Sequence, residues 1–503
     1  MSFTVESALK WWARELPGNV AISVDGDDLS FAELYAWSAR VGEYLLKQGV
    51  RTGERVMMCG LNTIEYAALI VGAARIGAIG VPLTFRSTAP ELQAAIASTR
   101  PVYVFTDPER HAIAAEALAG DAYIIKDFSE IGALRAGAEV VLNVTVERDA
   151  PLFIIGTSGS TGRSKYTIYS QFGVMTYACE FALMEPRCAR GSAIFSPGPF
   201  SSASGYLLLL QYLVIGASVY IESRFQPERA LEILINRKIT TFLGVPIFFE
   251  RIAVLPEFAA ADLSSLHFTQ VAGARVNMSL LEAWRAKGVT LRQAYGCTEA
   301  GGGWAARDDV AVSAPEKCGR GGIFNEYAIL GEDGEHAPPG TVGEILFRGA
   351  AIMSGYWNDR EGTAQAFLGD WFRTSDMGKM DEAGNLTFVD RLKDIIISGG
   401  LNVSAAEVER VIHDTPHVEE VAVIAVEDPM FGETPLAVVY GDRAKLSVEE
   451  IIGVCNKQLA SYKVPRYVVV EPEHLPRLPS GKISKPALRE RYKNAAANLE
   501  KVR

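Results

Sequence analysis

The sequence predicts an α/β protein with a large N-terminal domain of layered sheets, a β-rich subdomain, and a small α+β domain at the C-terminal end. From about residue 50 to about residue 300, short β-rich runs alternate with longer helical patterns. This alternation is typical of largely parallel sheets covered by helices. After about Cys318 the helical patterns give way to closely spaced β-rich runs. The length of 503 residues also exceeds what a single hydrophobic core usually supports, so we expect at least two domains.

The first part of the chain is predicted to contain short apolar strands separated by helices. Helices are expected at 65–76 and 227–236. The most apolar stretch, 206–221, is too short to span a bilayer and is interrupted by Gln211 and Gly216, so we expect a buried helix that leads into a strand. The strands are expected at 55–59, 102–105, 152–155, 217–221, 240–243 and 268–271.

The β-rich subdomain is predicted at about 319–390, within an N-terminal domain that covers 1–390. Two apolar runs flank a turn-rich stretch that contains Pro338-Pro339-Gly340, which predicts a hairpin. The polar stretch that begins at Asp390 marks a break, and 391–503 is predicted to be the separate C-terminal domain. Its expected helices and strands are 405–413, 421–426, 436–440, 448–459 and 468–470.

Composition excludes several classes of protein. The chain is 49% hydrophobic and 22% charged, with a net charge of −11, so no basic balance suggests a nucleic acid or an anionic membrane as partner. The six cysteines form no CxxC pair, and His413 and His417 are separated by Pro416, so neither a disulfide framework nor a zinc site is expected. The N-terminal residues lack the pattern of a signal peptide. We therefore expect a cytoplasmic protein without an integral membrane segment.

A glycine- and hydroxyl-rich run from Gly156 to Lys165 follows the predicted strand at 152–155. Such a loop can wrap its backbone N–H groups around an anion, and the lysine adds a positive charge. It is not a Walker A loop, because Ser164 precedes the lysine and Tyr166 follows it. The loop predicts a phosphate site, with a flexible surface loop as the alternative when it is taken alone.

Four further polar islands accompany this loop. The first supplies Tyr295 for stacking on a base, Thr298 as a donor to phosphate, and Glu299 as an oxygen ligand for Mg²⁺. The second contains Asp376, which is suited to the two hydroxyls of a ribose and is expected to follow a β-rich run. The islands are 295–299, 374–378, 390–394 and 479–483.

Together with the loop, these islands resemble the adenylate-forming superfamily of acyl-CoA synthetases, nonribosomal-peptide adenylation domains and beetle luciferases. The resemblance covers about residues 10–490, with the motifs in the family's order. It implies an AMP-forming acid–thiol ligase that uses ATP, Mg²⁺ and coenzyme A. A carboxylate attacks the α-phosphorus of ATP, which gives an acyl-adenylate and pyrophosphate; a thiol then attacks the acyl carbon, and AMP leaves. The carboxylate is already ionised at neutral pH, so adenylation needs positioning and electrostatic stabilisation rather than a general base.

The resemblance also implies roles for individual residues. Lys482 bridges the substrate carboxylate and the α-phosphate, Thr298 meets that phosphate, and Glu299 holds Mg²⁺. Lys393 occupies the hinge, and Gly399 and Gly400 line the tunnel for the pantetheine of coenzyme A. The implied nucleotide-binding residues are Thr157, Ser158, Gly159, Ser160, Thr161, Gly162, Lys165, Gly273, Ala274, Arg275, Tyr295, Gly296, Asp376 and Arg391. The implied acyl pocket is lined by Phe200, Ser201, Gly205, Pro246, Gly301 and Gly302.

Each of these residues also has a simpler interpretation. Lys482 suits a solvated turn, Asp376 a turn cap, and Arg391 a linker charge. The pair Gly399-Gly400 suits a plain turn. The five motifs in order favour the functional interpretation.

The chain departs from the family pattern at three places. Tyr166 stands where a glycine usually follows the loop lysine, Ser201 where a histidine often shapes the acyl pocket, and Ala405 where a proline is frequent. The pocket segments are apolar and hold no lysine or aspartate to pair with an amino acid, and the glycines at 301–303 are expected to leave room for a bulky group.

Several alternatives stay open at this point. The acid is an aryl or a medium-chain aliphatic acid, and the thiol belongs to coenzyme A or to a carrier protein. A catalytically degenerate nucleotide-binding homologue and a homodimer are also open.

Overall fold

The computed structural model describes residues 3–118, 124–157, 165–274, 276–301, 303–399, 401–477 and 482–502. The strands are β1 (Val20–Val24), β2 (Asp27–Ser30), β3 (Arg55–Gly60), β4 (Ile79–Thr84), β5 (Tyr103–Thr106), β6 (Ile124–Asp127), β7 (Pro151–Thr157), β8 (Lys165–Ser170), β9 (Ala193–Phe195), β10 (Ser218–Ile221), β11 (Thr241–Gly244), β12 (Phe268–Ala272), β13 (Arg292–Ala294), β14 (Asn325–Leu330), β15 (Gly343–Gly349), β16 (Phe367–Leu368), β17 (Trp371–Met380), β18 (Leu386–Arg391), β19 (Ile395–Ser398), β20 (Leu401–Ser404), β21 (Val418–Asp428), β22 (Gly432–Gly441) and β23 (Tyr467–Val470). The α-helices are α1 (Val5–Glu15), α2 (Phe31–Lys47), α3 (Ile64–Arg75), α4 (Ala89–Thr99), α5 (Pro108–Ala117), α6 (Phe128–Gly132), α7 (Gln171–Met184), α8 (Ala203–Val214), α9 (Pro227–Asn236), α10 (Pro246–Ala253), α11 (Met278–Arg285), α12 (Asp308–Ser313), α13 (Arg360–Ala366), α14 (Ala405–His413), α15 (Val448–Gln458), α16 (Lys485–Arg491) and α17 (Ala495–Asn498).

The chain divides into two compact units, which are described separately. The first unit comprises Met1–Tyr327, Leu346–Thr374 and Ala383–Leu386. The second comprises Ala328–Ile345, Ser375–Glu382 and Thr387–Arg503. The boundary between residues 390 and 391 stays a prediction.

Two mainly parallel sheets form the first unit. The seven-stranded sheet has the order β13-β12-β11-β9-β10-β1-β2, and only the β1–β2 pair is antiparallel among its described pairs. The six-stranded sheet has the order β6-β5-β3-β4-β7-β8 and ends in the antiparallel pair β7–β8. Two neighbouring parallel strands must be joined by a crossover connection, which is usually a helix. β-rich and helical patterns therefore alternate in the sequence. The predicted α/β class is therefore confirmed.

Helices α2 and α3 approach each other closely. α2 begins at a capping box in which the Ser30 and Glu33 side chains satisfy each other's backbone N–H groups. α3 packs against α2 at Gly72, where an added Cβ would lie 2.5 Å from a methyl of Val41 and 3.2 Å from the carbonyl oxygen of Ser38. The glycine thus permits contact between the two helices at a distance that alanine does not.

The second unit contains its own sheet, with β20-β19-β22-β21 in order and β23 paired to β22. One apolar cluster packs α14 and α15 on this sheet, around Val408 and Ile451. A second cluster forms around Leu436 and includes Leu488 of α16. The described strand pairs of this sheet are antiparallel except for β22–β23, and this mixture of helices and mainly antiparallel strands agrees with the predicted α+β character. Among the residues that the structure describes, no helix combines the length and apolarity needed to cross a bilayer.

Candidate active site

The predicted phosphate loop follows β7 and precedes β8 in the chain. Thr157 pairs with Lys165 across the two strands, and the Thr157 hydroxyl donates to the Lys165 carbonyl over 3.4 Å. Lys165 is therefore the first residue of β8, anchored by the hairpin. The residues between them, including Ser158, Gly159, Ser160, Thr161 and Gly162, lie outside the described residues.

Tyr166, the departure that follows the loop lysine, is part of the core of the six-stranded sheet. It pairs with Gly156 across the hairpin, and its ring lies 3.3 Å from the position of a Cβ on that glycine. Its side chain is buried among apolar residues, and burial raises the pKa of its hydroxyl to about 12. The absence of a side chain at Gly156 thus accommodates the tyrosine.

Thr298 and Glu299 form a short 3₁₀ turn soon after the end of β13. The hydroxyl of the buried Tyr169 donates to the Thr298 carbonyl. The backbone N–H of Met353 donates to the Glu299 carbonyl over 2.8 Å. Both side chains are partly accessible, and the backbone beneath them is fixed on two sides.

Tyr356 joins two of the predicted site residues, although the sequence analysis did not identify it. Its hydroxyl donates to Oε1 of Glu299 over 3.3 Å, and the ammonium nitrogen of Lys165 lies 4.6 Å from the centre of its ring. Burial raises the pKa of the Tyr356 hydroxyl, and the Glu299 carboxylate raises it further, so the hydroxyl keeps its proton. A single aromatic residue after a glycine offers no periodic or motif signal that could have revealed this contact.

The predicted adenine-facing residues lie in the first unit. Tyr295 is buried, and one face of its ring stacks on Phe347 at 5.8 Å between centres and 12° between planes. Gly273 has a φ of +85° directly after β12, and Ala274 is exposed beside it. Gly296 is also exposed, whereas Arg275 lies outside the described residues.

The predicted acyl-pocket residues differ in their accessibility. Phe200 is buried, and its backbone N–H donates to Asn62 over 2.8 Å. Pro246 is buried as the first residue of α10, and Ser201 is half-buried. Phe200 and Gly205 border a cavity of about 10 Å³, which has room for about one water molecule.

The expectation that the glycines at 301–303 leave room for a bulky group is wrong at two of the three positions. A Cβ on Gly301 would overlap the carbonyl oxygen of Ala351, and a Cβ on Gly303 would overlap that of Tyr295. Backbone atoms therefore fill the space beside these glycines. Gly302 lies outside the described residues.

Asp376 lies within β17, in the second unit, and not after a β-rich run as the sequence analysis expected. The preceding residue, Ser375, has a φ of +57°, and its backbone N–H donates to Oε1 of Glu344 over 2.9 Å. A non-glycine residue in the left-handed region locally bends a strand and is held there by its surroundings. Hydrophobic alternation does not reveal such a bend, so the sequence suggested a strand end.

Asp376, Arg391 and Lys482 interact within the second unit. Nε of Arg391 lies 3.7 Å from Oδ1 of Asp376. Desolvation lowers the pKa of Lys482, although part of its side chain reaches solvent. Arg391 lowers this pKa further, and Asp376 raises it. The structure thus brings together three residues that are separated by up to about a hundred positions in the sequence.

The remaining predicted residues lie near the start of the C-terminal segment. Lys393 belongs to a 3₁₀ turn, Leu392–Asp394, between β18 and β19. Ser398 pairs with Leu401 across the β19–β20 hairpin, and Gly399 directly follows β19. Gly399 has a φ of +59°, and Gly400 itself lies outside the described residues. Ala405 begins α14 directly after its N-cap, Ser404, whose hydroxyl donates to Oδ2 of Asp390 over 2.8 Å.

The donor set around Glu299 fits a metal ion that arrives with a nucleotide. Mg²⁺ is commonly held by one or two carboxylates together with waters and substrate phosphates. Glu299 supplies one partly accessible carboxylate, and the described residues contain no cluster of three or more histidine, cysteine, aspartate or glutamate side chains able to hold a metal ion. Such a site suits a shared ion better than a permanent protein cage.

The chain is similar to known proteins over nearly its whole length. Residues 9–357 match the AMP-binding enzyme family, and residues 407–482 match the AMP-binding enzyme C-terminal domain. A feruloyl-CoA synthase from Amycolatopsis is 36% identical over 95% of this chain and 97% of its own. The long-chain-fatty-acid–CoA ligase FadD13 of Mycobacterium tuberculosis is 32% identical over 92% of this chain and 93% of its own. ATP-bound MatB from Rhodopseudomonas palustris superposes with a TM-score of 0.88 at 28% identity, covering 98% of this chain and 100% of MatB.

Proposed function

The chain belongs to the AMP-binding enzyme family and is an acid:CoA ligase of that family, and from this premise we propose the role of each site residue and the class of acid. The ligase forms an acyl-adenylate from a carboxylic acid and ATP, and the thiol of coenzyme A then displaces AMP. The observation that carries the residue roles is the interaction of Lys482 with Arg391 and Asp376 in the second unit.

Lys482 holds the substrate carboxylate against the α-phosphate of ATP. Two anions repel each other, and a lysine between them offsets this repulsion and stabilises the charge that develops on phosphorus. Asp376 binds the ribose hydroxyls, and Arg391 contacts ribose or phosphate. Their opposite effects on the pKa of Lys482 support a shared site for the AMP part of the nucleotide.

Lys165, Glu299 and Thr298 serve the phosphates. Lys165 steadies the β- and γ-phosphates that leave as pyrophosphate, and Thr298 meets the α-phosphate. Glu299 would hold Mg²⁺, which when bound neutralises phosphate charge. The fixed backbone beneath Thr298 and Glu299 supports roles that require precise positioning.

The acid is apolar and carries a single carboxylate. The segments around Phe200 and Pro246 contain aromatic, aliphatic and small residues. Two of the relatives named above are a feruloyl-CoA synthase and a long-chain-fatty-acid–CoA ligase, so the test includes both aryl acids and aliphatic acids. The absence of disulfide bonds among the described cysteines and a dependence on ATP and coenzyme A also support a cytoplasmic location.

A panel of carboxylic acids, assayed for AMP release with free coenzyme A, tests this function. The panel contains hydroxycinnamic acids, aryl-acetic acids, and aliphatic acids of increasing length. We expect AMP formation that requires both coenzyme A and an apolar acid. AMP that appears only with a holo carrier protein would contradict the use of free coenzyme A, and no acid-dependent ATP–pyrophosphate exchange across the panel would contradict catalysis altogether.

A further inference from the structure

Tyr356 contacts two oppositely charged site residues with different parts of one side chain. The face of its ring lies under the ammonium group of Lys165, at 4.6 Å from the ring centre. Its hydroxyl donates to Oε1 of Glu299 over 3.3 Å. All three residues belong to the first unit.

The backbone around Tyr356 is tied to the strand that begins at Lys165. The N–H of Ile168 donates to the Gly355 carbonyl over 2.9 Å, and the N–H of Trp357 donates to the Tyr166 carbonyl over 2.7 Å. The N–H of Tyr356 itself donates to Oγ1 of Thr363 over 2.9 Å. The tyrosine is therefore anchored on the same element as the lysine that it contacts.

These contacts have distinct physical effects. A hydrogen bond to one oxygen of a carboxylate fixes the orientation of the other, and such partners of a metal-binding carboxylate strongly influence metal affinity. A cation over an aromatic ring is attracted to the ring face without losing its charge. An ammonium and a carboxylate in one site also attract each other, and a direct pair would compete with phosphate for the lysine and with Mg²⁺ for the carboxylate.

We propose that Tyr356 is a positioning residue of the adenylation step: it orients the Glu299 carboxylate toward the Mg²⁺ that accompanies ATP and holds the Lys165 ammonium on its ring. This inference rests on the proposed roles of Glu299 and Lys165. It assigns separate tasks to the two parts of the side chain, so the two parts can be tested separately.

The experiment measures ATP binding by calorimetry with and without Mg²⁺, in the absence of any acid, so that no turnover contributes. Tyr356→Phe keeps the ring and removes the hydroxyl. We expect the gain in ATP affinity on adding Mg²⁺ to fall about tenfold in this variant, with the affinity for metal-free ATP unchanged. Tyr356→Leu removes both contacts and is expected to weaken metal-free ATP binding as well, by about threefold or more.

Tyr44→Phe is the matched control. The Tyr44 hydroxyl donates to Oε2 of Glu130 over 2.6 Å, so this variant removes a similar tyrosine–glutamate hydrogen bond elsewhere in the same unit. We expect it to retain the full effect of Mg²⁺, and thermal unfolding of every variant checks that the fold is kept.

A fourth variant, Glu299→Gln, separates the inference from the proposed function on which it rests. If Glu299→Gln loses the Mg²⁺ effect while Tyr356→Phe keeps all of it, the role of Tyr356 is overturned and that of Glu299 stands. If Glu299→Gln keeps the effect, the proposed metal role of Glu299 is wrong, and the inference falls with it.

Discussion

Nε of Arg391 lies 3.7 Å from Oδ1 of Asp376, and these two charges act in opposite directions on the pKa of Lys482. Desolvation lowers the pKa of the lysine that is proposed to meet the reacting carboxylate, and the two residues proposed to bind the ribose and phosphate then shift this pKa in opposite directions. Its chemistry and the recognition of AMP are coupled through electrostatics within the second unit.

Replacing Lys482 by alanine should separate the two half-reactions. We expect Lys482→Ala to lower acid-dependent ATP–pyrophosphate exchange by about 10²–10³-fold, because it removes a charge that stabilises the transition state. Thioester formation from separately prepared acyl-adenylate should be largely retained. Lys493→Ala, at an exposed lysine nearby in sequence, serves as the control. An equal loss in both half-reactions would contradict the proposed role.

The rate of ATP–pyrophosphate exchange should decline at a lower pH than it would if Lys482 had the pKa of an unperturbed lysine. The ammonium form of Lys482 is the active form, so exchange is present below its pKa and is lost as the pH rises through it. Desolvation and Arg391 both lower this pKa from the usual value, which is about 10.4. A guanidinium stays charged throughout this range, so Lys482→Arg should abolish the alkaline decline even if its rate is reduced. Exchange rates between pH 7 and 10 test this; an unchanged decline in Lys482→Arg would show that another group causes it.

Glu222 should make the stability of the first unit depend on pH. Its side chain is buried, Oε1 has no hydrogen-bond partner among the described residues, and burial raises its pKa to about 7. The backbone N–H of Gln226 and the charge of Arg229 oppose this shift, whereas Asp25 adds to it.

The sign follows from proton binding. In the unfolded chain the carboxyl ionises near pH 4.3, so between that pH and about 7 the folded state retains a proton that the unfolded state releases. The contribution of Glu222 to stability therefore decreases as the pH rises through this window. We expect Glu222→Gln to raise the urea midpoint relative to the native chain at pH 8 and to change it much less at pH 5. The same difference at both pH values would rule out titration of Glu222 as the cause.

Two glycine-to-alanine substitutions in helices should have opposite effects on stability. Gly453 lies in α15 with open space where a Cβ would be, so Gly453→Ala should stabilise its unit by about 0.5–1 kcal/mol. Gly72 lies in α3 against Val41, so Gly72→Ala should destabilise by about 1–3 kcal/mol despite the same gain in helix propensity. Urea unfolding followed by circular dichroism measures both. A stabilising Gly72→Ala would mean that the two helices move apart without loss.

The sequence was most informative where a pattern repeats or a motif is local. The helices α9 and α14 begin and end where they were predicted, because proline, serine caps and hydrophobic periodicity mark their limits. Short motifs predict Lys482, Glu299 and Asp376 as site residues, and the order of these motifs indicates the family to which the chain belongs.

The sequence was least informative where long-range contacts decide the structure. Tyr356 contacts Glu299 because the segment 354–357 is hydrogen-bonded along β8. No motif or periodicity in the segment itself indicates that it pairs with this strand. Gly301 and Gly303 were expected to leave space for the acid. The carbonyl oxygens of Ala351 and Tyr295 occupy the space beside them instead. Asp376 lies inside β17, directly after Ser375 with its left-handed backbone conformation. The sequence does not reveal this arrangement, because the conformation of a strand depends on the strands with which it pairs.

The position of β8 has a further consequence for the isolated chain. It is the last strand in the order of its sheet, and its outer side is paired with the segment at 354–357. A strand with an unpaired outer side presents backbone groups on which another polypeptide can add, which leads to aggregation. The segment that carries Tyr356 therefore also shields the edge of the sheet from addition of another strand.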